Sequence, residues 1–299
     1  MTATSVDGVT AAAARIAPHI RHTPLLRAEV DGRPVVLKLE HLQRTGSFKL
    51  RGALNVLLSG PRPRRVITAS GGNHGIGVAT AAAILGLPAT VYVPSTAPES
   101  KARRIEAAGA ELVRTGDRYA DAAAAAHEAA TVPGTRYVEA YDDPVVIDGQ
   151  GTLAAEIIRE APEIDSIAVA VGGGGLAAGV ALGGGGRLTV AVEPEGCCCL
   201  HRALEAGHPV DAEAASVASS ALGAGRVGEA PFAVLSSRPV HSVLVSEEEI
   251  IAARDRLWDE YRLAVEPAAA VPFAAWLAGR IPGDQPCIVL CGANAPWTP

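Results

Sequence analysis

A short apolar run, a cluster of glycines and a helix-forming segment follow one another twice in this chain, and that repeated order narrows the fold more than any other feature. Arg65-Val66-Ile67-Thr68-Ala69 leads into Ser70-Gly71-Gly72-Asn73-His74-Gly75, and Ile167-Ala168-Val169-Ala170-Val171 leads into Gly172-Gly173-Gly174-Gly175. Each cluster then opens an Ala/Val/Leu-rich segment of helical character. Short strands alternating with helices in this way form open parallel sheets with helices on their faces. A strand, a glycine turn and a helix N-terminus also aim backbone N–H groups and the positive end of a helix dipole at one point, which suits an anion.

The remaining elements fall in around these units. Val9, Ala12, Ala13, Ile16 and Ile20 have helical spacing, and a helix is expected over 9–20, limited by Pro18. Strands are expected over 24–26 and 35–40 on either side of an Asp31-Gly32 turn, and a helix over 50–58 that Pro61 and Pro63 close. After the first cluster come a helix over 78–85 ending at Gly86, a strand over 90–94, a helix over 101–108 stopped by Gly109, and a strand over 111–113. The alanine tract 122–126 reads as helix, since alanine is the best helix former, with Asp117 and Asp121 supporting its first turn. These elements predict a small open-sheet domain at residues 43–143.

Beyond it, Gly149-Gln150-Gly151-Thr152 is expected to precede a helix over 153–160, and the strand 167–171 to enter the second glycine cluster. The helix after that cluster must be short, because Gly183-Gly184-Gly185-Gly186 interrupts it, and a strand follows over 188–192. A strand over 243–245 comes next. An amphipathic helix over 247–262 carries Leu257, Trp258 and Tyr261 as its buried stripe, and a last strand spans 287–291. Residues 1–42 and 144–299 thus form a second, large domain.

Composition excludes several classes of function. With 48% hydrophobic and 19% charged residues in 299, the chain is not a disordered one, and it is long enough for two domains. A net charge of −6 and the lack of a Lys/Arg-rich tract argue against nucleic acid as a partner and leave a small molecule. Residues 1–7 lack the basic start and apolar core of a signal peptide, and no apolar run approaches about 20 residues, so a cytoplasmic protein with no membrane contact is expected. Five cysteines, three of them consecutive at 197–199, form no C-x-x-C pair and read as reduced and buried.

One lysine stands in an unusual setting. Thr45-Gly46-Ser47-Phe48-Lys49-Leu50-Arg51-Gly52 places Lys49 among small and apolar residues just ahead of a helix. A solvated ammonium is a poor nucleophile, but an apolar setting or a neighbouring cation such as Arg51 lowers its pKa and lets it form a Schiff base. The plain alternative is a surface lysine, since most lysines are solvated.

Taken in order, the motifs resemble the fold-type II pyridoxal-phosphate enzymes, in the threonine/serine dehydratase and serine racemase branch. The matching pieces are His22-Thr23-Pro24-Leu25, Lys38-Leu39-Glu40, Gly46-Ser47-Phe48-Lys49, Ser70-Gly71-Gly72-Asn73-His74, Gly149-Gln150-Gly151-Thr152, Gly172 to Leu176, Val192-Glu193-Pro194, Glu266-Pro267 and Cys291-Gly292-Ala293-Asn294. They cover nearly the whole chain. The resemblance implies a tryptophan synthase β-like α/β fold of two open, mostly parallel sheets, with the small domain inserted in the large one. It further implies a homodimer that acts on a small β-hydroxy amino acid such as serine, threonine or 3-hydroxyaspartate, releasing a 2-oxo acid and ammonia by α,β-elimination.

Residue roles follow from the same resemblance. Lys49 carries the cofactor and removes the substrate α-proton; Gly172, Gly173, Gly174 and Gly175 bind the 5′-phosphate through backbone amides; Asn73 bonds the ring 3-hydroxyl; Phe48 covers one ring face; Cys291 stands near the pyridine nitrogen. Ser70, Gly71, Gly72 and His74 form the loop that receives the substrate carboxylate. Racemase relatives have a serine where this chain has Gly71, so a one-base lyase is expected rather than a racemase. In the branch's metal site, Glu193 and the Cys197 carbonyl would be ligands, but Cys199 stands where an acidic residue is usual, and a thiol is too soft for Mg²⁺ or Ca²⁺, so no metal is expected. Two rival readings are an NAD-dependent oxidoreductase, from Gly173-Gly174-Gly175-Leu176-Ala177-Ala178 with Glu193 about 20 residues on, and a catalytically dead amino-acid sensor. The first leaves Lys49 and Asn73 unexplained; the second leaves Lys49 without a use.

Overall fold

The computed structural model describes residues 4–97 and 99–295, so the first three residues of the stretch read for a leader lie outside it. In chain order, α1 (Val6–Ile16) is followed by the hairpin β1 (Leu25–Val30) and β2 (Arg33–Lys38), α2 (Lys49–Leu58), β3 (Arg65–Ala69), α3 (Asn73–Ile84), β4 (Ala89–Val93), α4 (Glu99–Ala107), β5 (Glu111–Arg114), α5 (Tyr119–Ala130) and β6 (Thr135–Tyr137). Then come α6 (Pro144–Glu160), β7 (Ser166–Ala170), α7 (Gly175–Gly183), β8 (Leu188–Pro194), α8 (Cys199–Ala206), α9 (Ser219–Leu222), α10 (Glu229–Ser236), β9 (Val240–Val245), α11 (Glu247–Tyr261), α12 (Pro267–Leu277) and β10 (Pro286–Val289).

The strands form two sheets. One has the order β5-β4-β3-β6 and is parallel throughout; the other has the order β1-β2-β10-β7-β8-β9, with only the β1–β2 hairpin antiparallel. The hairpin turns where expected, with Asp31 and Gly32 both at positive φ, as a two-residue connection requires. Each sheet carries its own apolar cluster: Val66, Val91 and Leu54 belong to one, Ile167, Val190 and Phe273 to the other. The two expected glycine units are present as β3-turn-α3 and β7-turn-α7.

Several expectations need correction. The helix expected over 9–20 begins at Val6, where Ser5 caps it by accepting from Gly8 N, and ends at Ile16 before a short 3₁₀ turn that contains Pro18. The third helix starts at Asn73 itself, five residues earlier than expected. Gly149 to Thr152 lies inside α6 rather than ahead of it, because Asp143 caps the helix six residues upstream. Glycine in a helix costs about 1 kcal/mol relative to alanine. Here the missing side chains let backbones meet: a Cβ on Gly149 would stand 2.7 Å from Gly52 Cα in α2, and one on Gly151 would stand 2.7 Å from Gly179 O in α7. On α11 the buried residues are Ile250, Ala253 and Leu257, while Trp258 and Tyr261 are half-buried. Strand β6 and helices α8, α9, α10 and α12 have no counterpart among the expected elements.

Candidate active site

A cavity of about 480 Å³ opens between the glycine units, and Lys49 projects into it from the first turn of α2. Its Nζ donates to the Ala140 carbonyl at 2.8 Å and lies 5.1 Å from the Phe48 ring centre. Burial pushes the amine down from the usual lysine value to about 8, and the Cys291 thiol opposite works the other way. An amine at that value is partly neutral near physiological pH and so is a usable nucleophile and base.

Of the two causes the sequence offers, burial acts and Arg51 does not. Its side chain leaves the other side of α2 and is fully buried. There it donates to Glu40 Oε2 at 2.9 Å and Oε1 at 2.7 Å, and to Glu156 Oε1 at 2.7 Å and Oε2 at 2.9 Å. Lys38 completes a quartet by donating to Glu156 at 2.6 Å and to the Thr23 carbonyl at 2.7 Å. Two cations and two carboxylates cancel.

The second glycine turn, 172–175, faces the cavity at the N-terminus of α7. Gly174 has φ +92°, a conformation that favours glycine, and a Cβ there would stand 2.8 Å from Pro231 Cβ. A Cβ on Gly173 would clash with three carbons of the Tyr141 ring, and one on Gly175 would stand 2.9 Å from Tyr141 Cβ. The turn therefore presents bare backbone to the cavity, and the first amides of α7 have no partner within the helix. That arrangement accepts a phosphate.

Ser70, Gly71, Gly72 and Asn73 line the opposite wall. Gly72 N donates to Ser70 Oγ at 3.2 Å, which folds the loop over the start of α3. Asn73 is held from two sides: its Nδ2 donates to Glu266 Oε1 at 2.7 Å, and its Oδ1 accepts from Asn294 Nδ2 at 2.7 Å. The Glu266 carboxylate, pushed up by burial, also accepts from Asn294 N at 3.0 Å. The Cys291 thiol lies at the cavity and is driven well above its usual value by burial and by Glu266, so it stays protonated. His74 lines the cavity, but its Nε2 is engaged by the Val138 carbonyl at 3.0 Å, and burial lowers it to about 3, which keeps the ring neutral.

The glycine turn of the rival reading is this same wall, whereas Glu193, Cys197 and Cys199 do not line the cavity. Both Glu193 oxygens accept backbone amides at the start of α8, from Leu200 at 2.9 Å and His201 at 2.8 Å, and burial raises the carboxyl to about 8. An NAD-binding unit would need that carboxylate for a ribose. The Cys199 thiol donates to the Gly172 carbonyl at 3.3 Å. All five cysteines are unpaired and buried.

Among the parts of the wall that sequence reasoning misses are Tyr141, Glu266 as a side chain, and the segment 219–224. Glu266-Pro267 stands out only as a motif, and no local pattern marks the other two. Together the walls fit pyridoxal phosphate: an amine able to take up its carbonyl carbon at one end, an amide-lined turn for its phosphate at the other, and Asn73 and Cys291 between them.

Comparison with known proteins agrees with this geometry. A family model described as "Pyridoxal-phosphate dependent enzyme" matches residues 16–292. An L-threonine ammonia-lyase of Geobacter sulfurreducens is 38% identical over 296 residues, covering 94% of this chain and 73% of that protein. A solved threonine deaminase from T.th. superposes with a TM-score of 0.93 at 36% identity, over 99% of this chain and 100% of that one. Maize serine racemase also gives 0.93, at 27% identity, over 99% and 95% of the two chains.

Proposed function

Since the chain belongs to the pyridoxal-phosphate dependent enzymes, we propose that it is an ammonia-lyase that converts L-threonine, L-serine or a related β-hydroxy amino acid to a 2-oxo acid and ammonia. The observation that carries the reading is Lys49: a lysine with its amine lowered to about 8, placed across one cavity from a side-chain-free glycine turn at a helix N-terminus. Bound pyridoxal phosphate supplies the electron sink for the charge left when the α-proton departs.

The protein's own groups do the rest. Lys49 would hold the cofactor through Nζ, and its free amine would take the α-proton. The amides of 172–175 and the dipole of α7 hold the phosphate. Glu266 and Asn294 fix which way the Asn73 amide points, and leave its second N–H for the ring hydroxyl. Phe48, in the cavity wall, would cover one ring face. The protonated Cys291 thiol offers the pyridine nitrogen a neutral partner, and without a carboxylate there the sink is weak, which favours loss of a β-substituent over transamination. The loop of Ser70, Gly71, Gly72 and His74 takes the substrate carboxylate.

The racemase reading needs a second acid on the far face of the α-carbon, and Gly71 has no side chain to supply one. The position has room: a Cβ there would meet only Val93 Cγ1, at 3.9 Å. Gly71→Ser is expected to add slow racemisation without harming the fold. The same reading treats residues 43–143 as a small domain inserted between 1–42 and 144–299, supported by the separate sheet and apolar cluster there. It places the enzyme in the cytoplasm as a homodimer; among the described residues no helix is long and apolar enough to cross a membrane.

The test is reduction with borohydride followed by peptide mapping, together with detection of 2-oxo acid from a panel of amino acids. A pyridoxyl adduct on Lys49 and 2-oxobutyrate from threonine are expected. An adduct elsewhere, or ligand binding with no turnover of any β-hydroxy amino acid, overturns the reading.

A further inference from the structure

Among the described residues, Tyr141 is the one phenol that stands directly beside both ends of the proposed chemistry. It follows Ala140, whose carbonyl accepts from Lys49 Nζ at 2.8 Å, and its ring leans on the bare face of Gly173 in the phosphate turn. Two neighbours bracket it. The Tyr119 hydroxyl donates to the carbonyl of Ala69, just ahead of the Ser70 loop, at 3.4 Å, and the Cys199 thiol donates to the carbonyl of Gly172. Both act electrostatically on the Tyr141 phenol.

The Tyr141 side chain lines the cavity, and its hydroxyl has no hydrogen-bond partner among the described residues. Tyr141 is half-buried, and its hydroxyl is not sealed in the wall. Burial pushes the phenol up to about 12, which keeps it a donor throughout the range in which Lys49 titrates. An open, protonated donor between a base and a phosphate turn faces what remains of a substrate after its amine and carboxylate have been placed. That remainder is the β-substituent.

We propose that Tyr141 donates a hydrogen bond to the β-oxygen of the substrate and thereby selects hydroxyl as the group to be eliminated. This role rests on the lyase reading above. In the elimination the Cα–H and Cβ–O bonds break and a Cα=Cβ bond forms. The proton taken by Lys49 returns to the departing oxygen, so water leaves, and Tyr141 keeps its own proton. Its O–H stabilises the negative charge that develops on the oxygen before that proton arrives, as donors do at other developing oxyanions.

The test uses the holoenzyme with two substrates that differ only in the leaving group. Hydroxide needs help to depart, whereas the chloride of β-chloro-L-alanine does not. Tyr141→Phe keeps the ring against Gly173 and removes only the donor. We expect kcat/KM for L-serine to fall by roughly 30- to 100-fold, mostly in kcat, with β-chloro-L-alanine changed less than about threefold. Titration of the apoprotein with pyridoxal phosphate, followed by absorbance, should give the same affinity for both proteins.

Equal losses for both substrates, or a weakened affinity for the cofactor, would assign Tyr141 to the wall or to the phosphate and overturn the proposal. If the unmutated protein eliminates from neither substrate, the lyase reading itself falls and this role with it. If it eliminates from both and the ratio does not respond to Tyr141→Phe, only the role of Tyr141 is lost.

Discussion

Lys49 and Arg51 are two residues apart on one helix, and the protein treats their charges in opposite ways. Arg51 points into a dry core and is matched there by two carboxylates and balanced by a second cation, Lys38. Lys49 points into a cavity, has a single carbonyl at 2.8 Å, and meets no carboxylate within ion-pair distance among the described residues. A charge used for architecture must be neutralised, because an unpaired buried ion is costly. A charge used for chemistry must be left unmatched, because pairing with a carboxylate would hold the ammonium protonated and unreactive. About half a turn of helix separates the two requirements, and the walls around each side chain decide which applies.

The sharpest way to break this contrast is to exchange what each side loses. Lys49→Met should abolish turnover, by about 10⁴-fold or more, and leave the fold as stable as before or slightly more so, since it removes a buried amine with a single acceptor from a low-polarity site. Steady-state assay and denaturant unfolding on the same sample check both halves; a large loss of stability would mean that Lys49 is structural after all. Arg51→Met should do the reverse. It leaves Glu40 with the Thr23 hydroxyl and Glu156 with Lys38 and His22, and should destabilise by about 3–5 kcal/mol in urea unfolding.

A smaller effect tests whether that loss comes from stranded charge. Adding Glu40→Gln to Arg51→Met removes one stranded carboxylate and should restore about 1–3 kcal/mol, read as non-additivity in a double-mutant cycle. Additive losses would show that Arg51 acts through packing alone. The smallest expected effect is on pH dependence. Only the neutral amine attacks a carbonyl, so uptake of pyridoxal phosphate by the apoprotein should rise with pH, by about tenfold from pH 6 to 7, and level off above about 8, where Lys49 titrates. An ordinary lysine would keep rising to about pH 10. Stopped-flow absorbance across pH 6–10 distinguishes the two.

Legibility in the sequence followed how local each cause was. The glycine units, the Asp31-Gly32 hairpin and the apolar setting of Lys49 could all be read, because turn chemistry and apolar period act over a few residues. Helix α12 could not. Every residue from 268 to 276 is buried, so it has no polar face to set a period, and Pro272 argues against a helix on local grounds. The glycines of α6 read as an entry to the helix for a related reason, since a glycine pair usually punctuates a helix rather than continuing one. Only the approach of α2 and α7 makes small residues necessary there.

The sequence by itself determined the two strand, glycine-turn and helix units, the turn that can hold a phosphate, and the apolar setting of the lysine beside it. Tertiary structure alone decided where the charges act. Arg51 finds Glu156 across 105 positions, Asn73 finds Glu266 across 193 and Asn294 across 221, and Tyr141 meets Gly173 from a different strand connection. A pKa or a hydrogen-bond direction depends on what stands within a few ångströms of an atom, and for these groups the neighbours come from distant parts of the chain.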